Sequence, residues 1–283
     1  MPTESHSNNQ VASAESLKQS LRSVAKFKQR SFETSANSHI PFLKTCTGGP
    51  EVVLLGDSMI ERMATTGESS GFQSWPSGSI LSEKCIISLN DSLTNQSITR
   101  LSNVFNAGVG GDKYENILYR LVGDEFSKER QPLTGLLDML KSCNVSLWVI
   151  HAGTNNLHPK KGLSDVDVDK LRLILQAVLQ ISRPGTKVLL TELFYRKDIT
   201  HSLVNDANQK LETLTQSVNE ELGSTTVLFS HRPREVLEDL HLDDHVHLNK
   251  EGYRLWMESL LPDILRALRK YSGDLKGHIQ EAS

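Results

Sequence analysis

A length of 283 residues accommodates one large α/β domain with tails, and is ample to bury a core. The 31 basic and 34 acidic side chains are interspersed and leave a formal net charge of −3, so no whole-chain field favours nucleic acid. Three widely spaced cysteines (Cys46, Cys85, Cys143) without a CxxC pair fit neither a disulfide framework nor a zinc site, and no apolar run reaches the ~18 residues needed to span a bilayer.

With no signal-peptide pattern in MPTESHSNNQ, these features point to a reducing, cytoplasmic setting. Residues 1–47 are polar, and their composition predicts a solvated extension, disordered or partly helical, whose removal leaves catalysis nearly intact. Within it Leu17, Leu21 and Val24 recur at helical spacing among Lys18, Arg22, Lys26, Lys28 and Arg30. Segment 17–30 therefore leaves open a contact with a membrane surface or a partner. Gly48-Gly49-Pro50 opens the folded domain, expected over 48–272 with 273–283 as a polar tail.

Glu51 to Met63, EVVLLGDSMIERM, follows. The run Val52-Val53-Leu54-Leu55 stops at Gly56, and a helical pattern (Met59, Ile60, Met63) starts at once, so Ser58 stands where a strand turns into a helix. Free N–H groups and the helix dipole favour negative charge there, which suits a nucleophilic alkoxide. A plain N-cap is the competing reading of Ser58.

Thr65 to Arg100 is a long Ser/Gly/Thr-rich connection, and it carries a second candidate, Gly67-Glu68-Ser69-Ser70-Gly71. That string matches a GxSxG elbow but lacks the strand before it and the helix after it, and reads as loop. Val104 to Gly108 is a strand running into Gly110-Gly111-Asp112, with a helical face (Tyr114, Ile117, Leu118, Leu121) beyond. Leu133–Leu140 reads as helix and Val145–Ile150 as a buried parallel strand ending in His151-Ala152-Gly153-Thr154-Asn155-Asn156. Helix 166–181, strand 187–191, helix 203–222, strand 226–229 and a closing helix over 250–270 complete a β-α rhythm, the mark of a parallel sheet covered on both faces. Ligands of such sheets bind beyond the carboxyl ends of the strands.

Before the closing helix, His241, Asp243, Asp244, His245 and His247 allow two readings. One is a metal cluster, which lacks an evident fourth ligand. The other, which we favour, has Asp244 orienting His247 as a base from three residues away.

Four strings now stand in order: GDS at Gly56–Ser58, NAGVGGD at Asn106–Asp112, GTNN at Gly153–Asn156 and DHVHL at Asp244–Leu248. Together they resemble the four blocks of the SGNH (GDSL) hydrolase superfamily, over residues 51–270. They look closest to its branch of intracellular platelet-activating-factor acetylhydrolase catalytic-subunit-like esterases. The resemblance implies a flavodoxin-like three-layer α/β/α sandwich with a five-stranded parallel sheet. It implies Ser58 as nucleophile, His247 as base and Asp244 as its orienting acid, with the oxyanion hole made by the N–H groups of Ser58 and Gly111 and the side-chain amide of Asn155. The activity implied is hydrolysis of a small-molecule ester, acetyl first among the acyl groups, with no metal or organic cofactor. An acyltransferase using the same acyl-enzyme and a non-catalytic binding protein on this fold are the alternatives, and a homodimer is left open.

Overall fold

The computed structural model describes residues 15–69, 75–77, 79–83, 85, 101, 103–124 and 131–277, with side chains to Leu268. Most of the 65–100 connection, including Ser70, Gly71, Phe72 and Ile86-Ile87, lies outside the described residues.

Five strands form one sheet: β1 (Val52–Gly56), β2 (Val104–Gly108), β3 (Leu147–His151), β4 (Lys187–Thr191) and β5 (Val227–Ser230), in the order β2-β1-β3-β4-β5. Every pairing is parallel. This is the flavodoxin-like order, which switches direction beside β1 and leaves a crevice at the carboxyl ends of β1 and β3. The apolar runs are continuous because both faces are covered. Val53, Leu55, Trp148, Ile150, Val188 and Leu190 point into one core. Helices α2 (Tyr114–Val122), α3 (Asp165–Ile181) and α4 (His201–Leu222) close it with Ile117, Leu171 and Leu211. Val52, Leu54, Leu147, Val149 and Leu189 point into the other. There they meet the short helix α1 (Ser58–Glu61) and the closing helix α5 (Lys250–Gly277) through Met59, Ile60, Tyr253, Trp256, Met257 and Leu260.

Two boundaries differ from expectation. Leu133–Thr134 pairs as a two-residue ribbon with Gly123–Asp124, and the helix begins only at Leu136, after Gly135. The closing helix runs on to Gly277, so residues 273–277 are helical and not tail.

The largest correction concerns residues 15–47. The segment is helical over 15–24, again at Gln29–Thr34, through one π-helical turn at Ser35–His39, and over Ile40–Thr45. It is not solvated: Leu21 is 2% exposed, and Leu43 joins the same core as α2 while Ile40 packs with Tyr119 and Leu133. The face that would meet a membrane is turned to the domain. Its basic side chains are engaged there as well, Lys26 with Glu115 (3.6 Å), Lys28 with Asp112 (3.4 Å) and Arg30 with Glu61 (2.8 Å). The composition of the whole segment averages over these few apolar anchors, which is why it reads as solvated.

Candidate active site

At the end of β1 the chain turns so tightly that the helix cap falls on Asp57, whose Oδ1 accepts the Met59 N–H at 2.9 Å. Ser58 is therefore the first residue of α1 and not its cap, and its N–H is among the donors a helix start leaves without an intrahelical partner. Asp57 is fully buried with Oδ2 unpartnered. Burial pushes its carboxyl up to about 7, with the Met59 N–H pulling it down and the nearby Asp112 charge raising it further.

His247 Nε2 lies 2.9 Å from Ser58 Oγ, and His247 Nδ1 lies 2.7 Å from Asp244 Oδ2. Asp244 Oδ1 accepts the N–H groups of Val246 (2.8 Å) and His247 (2.7 Å). Partial burial raises the Asp244 carboxyl, but the His247 ring and these two backbone donors outweigh it and hold the group well below the usual carboxylate range. An ionised carboxylate only accepts, so the ring proton sits on Nδ1 and the Nε2 lone pair is left for the serine hydroxyl.

The loop carrying this pair is held on three sides. Leu242 and Leu248 bridge antiparallel across it, Lys197 N–H donates to His245 O (2.9 Å), and Asn249 Oδ1 accepts from Gly252 N–H (2.9 Å) at the start of α5. Tyr253, buried on α5, donates its hydroxyl to Met59 O at 3.0 Å, so the helix that follows His247 is tied to the helix that begins at Ser58.

Gly56 is in register with Gly108 and His151, so the loops after β1, β2 and β3 emerge side by side. Asn155 Nδ2 donates to Asp112 O at 2.9 Å, joining the GTNN loop to the glycine turn. Arg196 donates to Thr154 O (2.7 Å) from the far side. Gly153 has φ +116°, and a Cβ there would lie 2.2 Å from Tyr114 Oη, so the loop's entry admits no side chain. Asp112 itself is buried: its Oδ2 takes Arg120 Nε at 2.7 Å, and its Oδ1 takes Ser31 Oγ at 2.5 Å. Arg120 also donates to Ala107 O and Gly56 O, stitching the ends of β1 and β2 together.

The structure also places the residues of the two competing readings. Ser69 is 1% exposed, accepts the Ser77 N–H and directs its hydroxyl at Met257 Sδ (3.4 Å). The three histidines face different ways: His241 Nδ1 accepts from Leu237 N–H, His245 is 4.0 Å from Asp198, and His247 meets Ser58. Among the described residues no group of three metal-ligating side chains is suited to hold an ion.

A cavity of about 820 Å³ opens at the carboxyl ends of β4 and β5, walled by Glu192, Tyr195, His201, Arg232 and Leu237. Ser58 and His247 do not line it. It holds no serine or cysteine, and the hydroxyl of its Tyr195 is given to Asn205 (2.8 Å). The cavity and the Ser58–His247 pair thus occupy different parts of the rim. Arg120, Arg196, Tyr253, Lys28 and Ser31 support the site without any motif in the sequence to mark them.

The family model for the GDSL-like lipase/acylhydrolase family matches residues 54–255. The chain belongs to that family. Its members are the SGNH, or GDSL, hydrolases, and this protein is a carboxylic ester hydrolase of that class. Comparison with curated proteins finds no match. Among solved structures, it is similar to a GDSL-like lipase from Bacteroides thetaiotaomicron VPI-5482 (16% identity, 84% of this chain and 98% of that one, TM-score 0.49). It is also similar to a Streptococcus pneumonia protein whose name refers to platelet activating factor (16%, 90% and 94%, 0.47). A third is a carbohydrate esterase family 3 protein from Talaromyces cellulolyticus (16%, 78% and 99%, 0.48). At these values the likenesses carry no argument about substrate. No helix among the described residues of this GDSL-family chain is long and apolar enough to cross a membrane.

Proposed function

We propose that this GDSL-family protein is a serine esterase that removes a small acyl group, acetyl in the first instance, from a small-molecule ester through an acyl-enzyme on Ser58. The observation that carries the reading is the unbroken line Ser58 Oγ, His247 Nε2 at 2.9 Å, and Asp244 behind Nδ1 at 2.7 Å. His247 takes the hydroxyl proton as Ser58 Oγ attacks the ester carbonyl. The Ser58 and Gly111 N–H groups and the Asn155 amide receive the oxyanion. Asn155 Nδ2 carries two hydrogens, and the bond to Asp112 O uses one of them, leaving the other for the substrate. Protonated His247 then gives its proton to the leaving alcohol, and afterwards activates the water that releases the acid. The acetyl preference follows the branch that the sequence resembles.

The test is labelling and turnover. A fluorophosphonate should modify Ser58, Ser58→Ala should lose essentially all hydrolysis of p-nitrophenyl acetate, and free acetate should be the product. Label found on Ser69, or activity surviving in Ser58→Ala, would show that the nucleophile lies elsewhere; acyl transfer to an alcohol in preference to water would make it a transferase.

A further inference from the structure

The Gly111 N–H belongs to the peptide unit whose carbonyl is Gly110 O. Lys28 Nζ, from the amino-terminal segment, donates to that oxygen at 2.7 Å. A trans peptide is planar with its C=O and N–H pointing opposite ways, so a donor anchored on the oxygen sets the direction of the N–H on the far side. An ammonium on the carbonyl also polarises the unit and strengthens its N–H as a donor. The geometry leaves room for this contact: Gly111 has φ +73°, and a Cβ there would lie 2.9 Å from Lys28 Nζ. Glycine thus serves both the left-handed backbone and the approach of the ammonium.

Lys28 is itself held in place. Lys26 N–H donates to Glu115 O (2.8 Å) and Asn116 Nδ2 to Lys26 O (3.0 Å), while Lys28 Nζ also reaches Asp112 Oδ1 (3.4 Å). Ser31, one helical turn on, donates to that same oxygen. The side chain of Lys28 is 29% exposed and that of Asp112 is fully buried. Lys26, Lys28 and Ser31 all lie before residue 54, where the match to the family model begins.

We propose that Lys28 is a positioning residue for catalysis: by bonding Gly110 O it aims and polarises the Gly111 N–H toward the developing oxyanion. The inference rests on the reading of Gly111 as an oxyanion donor.

The experiment uses the full chain and compares wild type with Lys28→Met, Lys28→Gln and Lys28→Arg, with Lys26→Met as a control from the same segment. Each is assayed on an ester and on the matching thionoester, below the lowest melting temperature of the set. A sulfur oxyanion accepts hydrogen bonds poorly, so the ester-to-thionoester rate ratio reports the oxyanion hole and not general integrity. Lys28→Met and Lys28→Gln should lower kcat roughly 10- to 100-fold, less than removal of a whole donor, with KM within about two-fold and a collapsed rate ratio. Lys28→Arg should keep most of the rate and the ratio, and Lys26→Met should keep both. Wild-type kcat and an unchanged ratio in both neutral variants would overturn the proposal while leaving the Ser58 reading intact. Failure of the wild type to hydrolyse esters or to be labelled at Ser58 would instead overturn the reading beneath it, and the proposal with it.

Discussion

At the scale of single residues, the proposed chemistry depends on which nitrogen of His247 carries the proton. Asp244 decides this as an anion that accepts from Nδ1 and from two backbone N–H groups. In Asp244→Asn the amide can turn its NH₂ toward Nδ1, which moves the ring proton to Nε2 and leaves no lone pair for Ser58. We expect kcat for p-nitrophenyl acetate to fall on the order of 10⁴-fold with little change in KM, the size of the loss when the acid of another serine triad is so changed. Fluorophosphonate labelling of Ser58 should slow in parallel. An Asp244→Asn protein within ten-fold of wild type would mean that the backbone alone orients His247. His245→Ala serves as the comparison, since its ring faces Asp198 at 4.0 Å and should matter little.

Among the elements, the amino-terminal segment behaves unlike its composition. Leu21 is all but buried against α2, and Ile40 and Leu43 are covered as well. Fully burying each such side chain contributes about 1.5–3 kcal/mol, so three together rival a large part of the 5–15 kcal/mol that keeps an ordinary domain folded. Leu21→Ala should therefore lower unfolding free energy by about 2–5 kcal/mol, read as a lower urea midpoint at unchanged slope. Removal of residues 1–45 should give a protein with a sharply reduced Tm and little esterase activity. A truncated protein with wild-type Tm would show that the segment contributes no packing. The same helices bring Lys28 and Ser31 to the glycine turn, so packing and catalysis fail together here.

For the molecule as a whole, three buried groups tie stability to pH. Burial holds His39 and His151 down to about 3, His39 with help from the charge of Arg120, while it pushes Asp57 up to about 7. Each histidine is neutral in the fold but protonates near 6.5 when unfolded, so its contribution is complete above 6.5 and is lost as pH falls toward 3. Asp57 acts in the opposite sense: its contribution is complete below its ordinary 3.8 and is lost as pH rises to about 7. Between about 4 and 6.5 two protons oppose one, and these groups together should remove about 1.4 kcal/mol of stability for each pH unit of acidification. Urea midpoints at pH 6.5 and 4.5 test the sign, and His39→Gln should flatten the slope by about one proton. Stability that rises on acidification over that interval would refute it.

Five strands were legible in the chain because each is a largely apolar run, the central ones buried on both faces, stopped by a polar or glycine turn. Val52–Leu55 and Val145–Ile150 are cases where burial leaves no other assignment. Ser58, Asp244 and His247 were legible for a related reason: tight turns and short acid–base spacings are local, and local geometry is written in neighbouring residues. Lys28 against Gly110, Ser31 against Asp112, Arg120 under β1 and Tyr253 across to Met59 join positions separated by 82, 81, 64 and 194 residues. No periodicity or spacing encodes such pairs, because each depends on which faces the sheet brings together after the helices have docked. Sequence alone thus determined the strands and the candidate site residues, and only the tertiary structure decided what holds those residues in line.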